Sequence, residues 1–228
     1  MRNLEDVFKN LEKRNPFNNP NSKTNGELDL VNRIGQDLKM VFDIGCRSNS
    51  LFLNLNAACH YFDPVKDFID DLSQEKNNNK QSYFNAFGLG RKEEDLWYYP
   101  RYESFLNRIK SCSKNDEDNK ILLKIKTAKD YIEKHNIKSI DFTKIDTEGY
   151  ELSVLEGFGK YLKIIKLIQF EYGGTFIDSG VKLDEIINYL KSHGFDRFSY
   201  LVKNGTQLIT KTKDHYRYCN IICANTNL

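Results

Sequence analysis

Hydrophobic positions along the chain follow two spacings, and together these spacings predict a series of strands and helices. Short apolar runs typical of buried strands lie at 40–44, 60–63, 82–87, 121–125, 140–145, 167–171, 197–202 and 218–224. Apolar residues at helical spacing lie at 3–14, 28–38, 66–74, 152–162 and 183–190, with shorter helices expected from Ser50 and around Tyr131. Strands that alternate with helices indicate an α/β sheet of mainly parallel strands, and the two closing strands add an antiparallel member.

Two interruptions of this pattern predict the domain organisation. Prolines and asparagines at 15–22 break the helical spacing and indicate a linker. We therefore expect an N-terminal helical segment over residues 1–39 and one larger domain over residues 40–228. Residues 88–120 show no regular period, are aromatic in the middle and are charged at both ends. This stretch is predicted to be an insertion or flap above the sheet.

Composition and charge narrow the class of protein. The 228 residues suit one domain with a sizeable core, or one domain with a small appendage. The formal net charge of +2 gives no reason to expect nucleic acid or an anionic membrane as a partner. The mean hydropathy is -0.62, and no long apolar run predicts a membrane-spanning helix. An N-terminus without an apolar signal segment and an odd count of 5 cysteines favour reduced thiols and a cytoplasmic location.

The stretch K-I-D-T-E-G-Y-E-L at 144–152 carries the strongest local signal. An apolar strand ends there in Asp146 and Glu148, a turn-permitting Gly149 follows, and helical spacing resumes at once. Ligands of open α/β sheets bind just beyond the carboxyl ends of the strands, so both carboxylates are candidates for chemistry. The alternative is that they stabilise the positive N-terminus of the following helix.

The first two strands end in a second candidate site. The first strand runs into D-I-G-C at 43–46, and the second ends at Asp63, eighteen positions after Gly45. In nucleoside-binding α/β folds an acid about 20 residues after the glycine turn accepts hydrogen bonds from the ribose hydroxyls. The alternative is a simple Asx turn before Pro64. No G-x-G-x-x-G or Walker loop is present, so a dinucleotide or nucleoside triphosphate site is poorly supported.

Several short motifs, taken in order along the chain, resemble the FkbM family of S-adenosylmethionine-dependent methyltransferases. These are D-I-G at 43–45, F-D-P at 62–64, N-A-F-G at 85–88, K-I-D-T-E-G-Y-E-L-S-V-L-E-G at 144–157 and F-E-Y at 170–172. The resemblance implies a Rossmann-like class I methyltransferase fold and S-adenosylmethionine as cofactor. It also implies methylation of a hydroxyl on a saccharide or a natural-product intermediate.

The resemblance also implies roles for single residues. Gly45 would line the methionine part of the cofactor and Asp63 would bind the ribose. Asn85 and Ala86 would lie against the adenine. The full set of implied cofactor contacts is Asp43, Gly45, Arg47, Asp63, Asn85 and Ala86. Asp146, Glu148 and Glu171 would face the transferred methyl group.

The first loop departs from the family pattern. The family's loop resembles D-x-G-A-N-x-G, whereas this chain has D-I-G-C-R-S-N-S, with Arg47 in place of the asparagine and Asn49 in place of the second glycine. Asn tolerates a positive φ better than most residues, so the turn can persist. Arg47 could pair with the methionine carboxylate or with an anionic acceptor, or it could point to solvent.

The implied reaction requires a base. A hydroxyl is a poor nucleophile at neutral pH, so a carboxylate within hydrogen-bond reach would assist by removing its proton. Asp146, Glu148 and Glu171 are the candidates, since all three lie at the exits of adjacent predicted strands. They could instead bind a divalent metal, but no His-x-x-Asp-type cluster accompanies them, so no metal is expected.

Two further functions stay open. An RNA cap 2′-O-methyltransferase would need a lysine-acid-lysine-acid tetrad, and here the fifth strand ends in Glu171 rather than a lysine. A degenerate, non-catalytic binding subunit would keep the fold and lose the cofactor. The aromatic segment 96–105, with Arg101, would suit a nucleotide-linked or phosphorylated saccharide, or it would simply cap an exposed sheet edge. The acceptor, the methylated position and the oligomeric state are not predicted.

Overall fold

Parallel strands with helices on both faces form the centre of the fold. The computed structural model describes residues 4–11, 15–17, 19–75, 81–105, 119–173, 176 and 178–228. The strands are β1 (Met40–Ile44), β2 (Ala58–Phe62), β3 (Ser82–Asn85), β4 (Gly88–Leu89), β5 (Glu94–Tyr98), β6 (Ile121–Lys126), β7 (Ile140–Ile145), β8 (Ile165–Tyr172), β9 (Arg197–Val202), β10 (Gly205–Leu208) and β11 (Cys219–Ala224). The helices are α1 (Leu4–Val7), α2 (Ser22–Asn25), α3 (Glu27–Ile34), α4 (Lys66–Gln74), α5 (Ala128–His135), α6 (Glu151–Phe158) and α7 (Leu183–Ser192). Short 3-10 turns lie at Gly35–Asp37 and Gly159–Ile164.

The main sheet has eight strands in the order β10-β9-β11-β8-β7-β1-β2-β3. Strands β3, β2, β1, β7 and β8 pair in parallel, while β11 pairs antiparallel with both β8 and β9. The predicted α/β fold, with a mainly parallel sheet and an antiparallel C-terminal strand, is confirmed. The chain builds outward from β1 on one side and from β7 on the other, so the strand order reverses between them. In open α/β sheets this reversal point is where ligands bind.

Side chains of the central strands alternate between two hydrophobic layers. In β1, Phe42 and Ile44 face the layer that packs under α5, α6 and α7, whereas Val41 faces the layer under α1, α3 and α4. Because successive residues of a strand point to opposite faces, a strand buried on both faces needs a continuous apolar run. Among the described helices, none combines the length and the apolarity that crossing a bilayer requires.

The N-terminal residues pack onto the same core as the sheet. Val7, Phe8 and Leu30 are buried with residues of β1 and β7. The helix predicted over 3–14 is wrong in length, since α1 ends at Val7. The next residues bond to β10 instead: the Leu11 N–H donates to the Thr206 carbonyl oxygen, and the Thr206 N–H donates to the Lys9 carbonyl oxygen, both at 2.8 Å. The domain boundary at residue 39 stays a prediction.

Two other expectations differ from the structure. The stretch from residue 88 is not irregular throughout, because β4, β5 and β6 form a second sheet in the order β4-β6-β5. Residues 106–118 of the predicted insertion lie outside the described part of the chain. The short helix expected from Ser50 is replaced by turns over 51–54. There the Ser50 Oγ accepts the Phe52 N–H at 3.2 Å, a local side-chain bond that competes with helix formation.

One carboxylate ties together the beginnings of three central strands. Asp141 of β7 accepts the Lys39 N–H at 2.8 Å and the Met40 N–H at 3.0 Å, both at the entry to β1. It also accepts Lys166 Nζ of β8 at 2.7 Å. Burial alone would raise the pKa of Asp141, but the lysine and the two N–H groups outweigh it and hold the pKa below its usual range.

We expect Asp141→Ala to lower the free energy of unfolding by about 3 kcal/mol, since a buried ion pair loses one partner and two N–H groups lose their acceptor. Denaturant unfolding measures this, with Asp71→Ala on the exposed face of α4 as control, expected to change stability by about 0.5 kcal/mol or less. Because the folded-state pKa is depressed, the stabilisation is present above the unfolded pKa of about 3.9 and is lost as the pH falls through the folded value. A difference between wild type and variant that grows on acidification would contradict this account.

Candidate active site

A cavity of about 490 Å³ opens at the carboxyl ends of β1, β2, β7 and β8, where the strand order reverses. Seven of the nine residues that the sequence singled out line it: Asp43, Gly45, Arg47, Asp63, Asp146, Glu148 and Glu171. The remaining two, Asn85 and Ala86, are not among its lining residues. The structure therefore brings both ends of the sequence-predicted site together around one cavity.

Gly45 allows the loops after β1 and β7 to touch. Its φ is +77°, and a Cβ placed on it would lie 1.8 Å from the carbonyl oxygen of Asp146. The Asp146 N–H in turn donates to the Ile44 carbonyl oxygen at 2.9 Å. Only glycine fits a left-handed conformation with backbone so close, so this residue sets the distance between the two halves of the site.

Asp63 fixes the first loop from the end of β2. One carboxylate oxygen accepts the Arg47 N–H at 3.0 Å, and the other accepts the Val65 N–H at 2.9 Å. The second of these bonds is the Asx turn that the sequence left open, and the carboxylate lines the cavity as well. Burial raises the pKa of Asp63 to about 6. Its contact with ribose stays a prediction.

Asp43 lines the cavity, and one of its carboxylate oxygens is buried without a hydrogen-bond partner in the described part of the chain. Its Oδ2 accepts a hydrogen bond from Ser50 Oγ at 2.5 Å, while the buried Oδ1 has no hydrogen-bond partner among the described residues. Burial raises the pKa of this carboxyl to about 6. A buried carboxylate oxygen without a donor is costly, so a ligand with an N–H or ammonium group would be bound favourably here. The α-ammonium group of S-adenosylmethionine fits this requirement.

Asp146, Glu148 and Glu171 form a carboxyl cluster whose oxygens lie within 4.8 Å of one another. Lys144 Nζ donates to Asp146 Oδ2 at 2.8 Å. Burial and the neighbouring Asp146 raise the pKa of Glu171 well above its usual value, which favours the protonated form of Glu171. The Lys144 ammonium outweighs burial at Asp146 and lowers its pKa. The three oxygens are also close enough together to hold a divalent cation.

Lys144 is held between strand and N-terminal helix by residues that the sequence did not single out. Its ammonium group lies 4.0 Å from Glu27 Oε1, and its side chain is only 15% exposed. Glu27, at the start of α3, also accepts Gln169 Nε2 at 2.8 Å and Asn25 Nδ2 at 2.7 Å. Lys144 stands in the K-I-D motif and could have been found there. Glu27 carries no local signal for the site, because Lys144 and Gln169 lie more than a hundred positions away from it.

Glu151 shapes the loop that carries the catalytic candidates. Its Oε1 accepts the Thr147 N–H at 2.9 Å and the Gly149 N–H at 3.2 Å. Glu148, between them, has a φ of +53°, and its carbonyl oxygen accepts Ser104 Oγ at 2.9 Å. Burial raises the pKa of Glu151 to about 7. The acid that stabilises the N-terminus of α6 is thus Glu151, while Asp146 and Glu148 point to the cavity.

The segment after β5 covers the cavity. The Arg47 guanidinium makes two hydrogen bonds with the Glu103 carboxylate, so the first loop and the covering segment are joined by an ion pair. Tyr98 and Phe105 line the cavity with ring centroids 5.6 Å apart. Trp97, by contrast, is 48% exposed on the outer face of the small sheet. The aromatic segment thus has members on the cavity wall and members exposed to solvent, and its contact with an acceptor stays a prediction.

Asn85 lies at the end of β3 beside Asp63. Its Nδ2 donates to the Tyr61 carbonyl oxygen at 3.0 Å and to that of Tyr83 at 3.1 Å. Its carbonyl oxygen accepts the Asp63 N–H at 3.2 Å. The predicted contact of Asn85 and Ala86 with adenine stays a prediction.

Comparison with known proteins identifies the family. A model described as "Methyltransferase FkbM domain" matches residues 43–197, which is more than half of the chain. The chain belongs to the FkbM methyltransferase family. The matched region contains the carboxyl cluster, whereas Glu27 precedes it. Methyltransferases of this kind generally use S-adenosylmethionine as methyl donor.

A solved structure of an FkbM methyltransferase shows the same fold. A methyltransferase FkbM from Methylobacillus flagellatus aligns with a TM-score of 0.51 and 14% identity, covering 82% of this chain and 44% of that one. The present FkbM-family chain thus spans less than half the length of that protein. An rRNA methylase from Streptococcus thermophilus (TM-score 0.45, 11% identity, 87% and 93% covered) and a putative RNA methyltransferase from Pyrococcus horikoshii (0.42, 12%, 96% and 90%) also align. At these TM-scores the last two similarities carry no weight for the substrate. No curated protein matches the chain.

Gly45→Ala tests the contact between the two loops of this FkbM-family site. We expect it to destabilise the protein by about 2–5 kcal/mol, combining the cost of a positive φ with that of a forced separation from Asp146. Gly180→Ala is the matched control, since Gly180 has a φ of +78° but no atom within 4 Å of a built Cβ. Denaturant unfolding of both variants separates the two costs. Equal losses of stability would show that the close approach at Gly45 contributes nothing.

Proposed function

We propose that this protein is an S-adenosylmethionine-dependent O-methyltransferase that acts on a hydroxyl of a saccharide or a related polyhydroxylated molecule. The observation that carries the proposal is the carboxyl cluster of Asp146, Glu148 and Glu171, which faces the same cavity as Asp43 and Asp63. One end of the cavity thus suits a cofactor, and the other suits removal of a proton. Family membership supports the methyltransferase reaction, and the cluster supports an oxygen acceptor.

The cofactor end of the site is built by the ends of β1 and β2. S-adenosylmethionine would supply a methyl group activated on a sulfonium centre. Asp43 would accept a hydrogen bond from its ammonium group through Oδ1, and Asp63 would accept from the ribose hydroxyls. Each oxygen of Asp63 keeps a lone pair beyond the one used by its backbone partner. Gly45 adds no side chain that would narrow this part of the cavity.

The acceptor end is built by the ends of β7 and β8. Asp146 and Glu148 are the proposed proton acceptors for the attacking hydroxyl. Lys144 keeps Asp146 ionised, so that carboxylate is available to orient the hydroxyl and to take its proton. Burial and Asp146 raise the pKa of Glu171, and in its protonated form Glu171 would donate a hydrogen bond to Asp146. In this arrangement Glu171 is a positioning residue in the resting state.

S-adenosylhomocysteine should raise the melting temperature of the wild-type protein, because a ligand present at 100 times its Kd stabilises by about 2.7 kcal/mol. Asp43→Asn should weaken the binding of S-adenosylhomocysteine by about 1.5–3 kcal/mol, because the substitution replaces the carboxylate by a neutral amide and the charged hydrogen bond is lost. Titration calorimetry measures the affinity, and the exposed Asp95→Asn is the control, expected to bind as wild type does. A wild-type protein that binds no S-adenosylhomocysteine at millimolar concentration would instead be a degenerate, non-catalytic subunit.

Asp146→Asn and Glu148→Gln should each slow methyl transfer by about 10²–10⁴, the usual cost of losing a general base. Glu171→Gln should slow it by about tenfold or less, because the amide can donate to Asp146 as the protonated acid does. Transfer of labelled methyl from S-adenosylmethionine to a panel of saccharides measures the rates, and S-adenosylhomocysteine affinity serves as the folding control. An equal loss in all three variants would argue against a resting proton on Glu171. Inhibition by EDTA that magnesium reverses would show that the cluster holds a metal.

A further inference from the structure

The cavity wall carries many more acidic than basic side chains. Among the described residues that line it, seven carry a carboxyl group: Glu27, Asp43, Asp63, Glu103, Asp146, Glu148 and Glu171. Only Arg47 and Lys144 carry a cation. At close range such a wall repels an anion and attracts a cation, and exclusion of water strengthens both effects.

Both of these cations already have carboxylate partners. Lys144 donates to Asp146 at 2.8 Å and lies 4.0 Å from Glu27. Arg47 uses both terminal nitrogens of its guanidinium on the two oxygens of Glu103. A phosphate that entered the cavity would have to displace one of these carboxylates, and the displaced carboxylate would stay nearby as a like charge.

Backbone donors at the first loop are also in use. Glycine turns at the ends of such strands often bind phosphate through their N–H groups. Here the N–H groups of Gly45 and Cys46 donate to the Phe62 carbonyl oxygen at 2.8 and 3.3 Å. The N–H of Arg47 donates to Asp63 at 3.0 Å. A backbone carbonyl oxygen and an internal carboxylate therefore already accept the N–H groups that a ligand phosphate would need.

In the loop after β7, backbone N–H groups are likewise bound by an internal acid. The N–H groups of Thr147 and Gly149, at the approach to α6, both donate to the Glu151 carboxylate. In each of the two loops at the mouth of the sheet, an internal acid thus accepts at least one backbone N–H group. This second observation is independent of the charges on the cavity wall.

We propose that the part of the acceptor that enters this cavity carries no phosphate or carboxylate and is a neutral or amine-bearing polyol. The inference rests on the methyltransferase function proposed above and narrows its substrate class. It favours a plain saccharide, an amino sugar or a hydroxylated natural product over a sugar phosphate, a nucleotide-linked sugar or an RNA backbone. The Arg47–Glu103 ion pair determines this specificity, since the Glu103 carboxylate occupies the Arg47 guanidinium that an anionic ligand would otherwise bind.

The remaining wall suits such a ligand. Hydroxyl and ammonium groups donate hydrogen bonds, and the carboxylates of Asp146 and Glu148 are acceptors. Tyr98, Phe105 and Phe68 add aromatic side chains to the lining, and aromatic faces pack on the apolar faces of sugar rings. A polyol thus finds both acceptors for its hydroxyls and flat apolar surface for its ring.

Anion binding to the full chain tests the proposal, with inorganic pyrophosphate and UDP as probes in titration calorimetry. Wild type should bind both more weakly than about 1 mM. Glu103→Gln keeps the size of the side chain but removes the charge that neutralises Arg47, so its pyrophosphate affinity should rise about tenfold or more. The double variant Arg47→Gln/Glu103→Gln should lose that gain. Circular dichroism and thermal melting confirm that each variant is folded.

Two results would overturn the proposal. One is sub-millimolar binding of pyrophosphate or UDP by wild type that Arg47→Gln weakens. The other is a folded Glu103→Gln variant that gains no affinity for pyrophosphate. The titrations need no cofactor and are repeated with S-adenosylhomocysteine present. Absence of S-adenosylhomocysteine binding together with the expected anion pattern would contradict the methyltransferase proposal and support the inference about charge.

Discussion

The site depends on the ion pairs that the ammonium group of Lys144 makes with the carboxylates around it. The ammonium group is largely buried and binds Asp146 directly, with Glu27 at 4.0 Å and Asp43 near enough to raise its pKa further. These acids come from β7, from α3 and from β1, so one cation joins three separate parts of the chain. Removing one partner from a buried ion pair leaves an uncompensated charge, and this cost keeps the three elements in a single arrangement. The same charge lowers the pKa of Asp146, whereas burial and Asp146 raise the pKa of Glu171.

Asp63 and Glu151 fix the positions of the two loops that meet at the proposed catalytic acids. Asp63 holds the loop after β1 through the Arg47 N–H, and Glu151 holds the loop after β7 through two N–H groups. Gly45 then lets the two loops touch at Asp146. Each loop is thus tied by a carboxylate to a rigid strand or helix end. A site that has to place a hydroxyl within hydrogen-bond reach of a base benefits from this rigidity, because small displacements cost much of the rate.

The sequence predicted those parts of the molecule whose signals are local. Buried strands show as apolar runs, and the K-I-D-T-E-G motif marks the site because its residues adjoin one another in the chain. The length of the first helix and the strand β10 were missed, because backbone pairing between residues 9–11 and Thr206 decides the conformation there. Glu27 and Glu103 were missed for the same reason. Their roles come from contacts with Lys144 and Arg47, and no spacing along the chain records contacts between elements so far apart.

Acidic side chains in excess around a cavity repel one another when the site is empty, and this electrostatic cost favours ligands that carry a cation or hydrogen-bond donors. Burial already raises the pKa of Asp43 and Asp63 to about 6, which shows how far their charges lack compensation. A ligand that brings a cation, such as an ammonium or sulfonium group, or hydroxyl donors reduces that cost. Part of its affinity therefore comes from relief of the charge repulsion in the unliganded site. An anionic ligand would add to the same cost. The charges that would position the proposed base therefore also disfavour an anionic ligand.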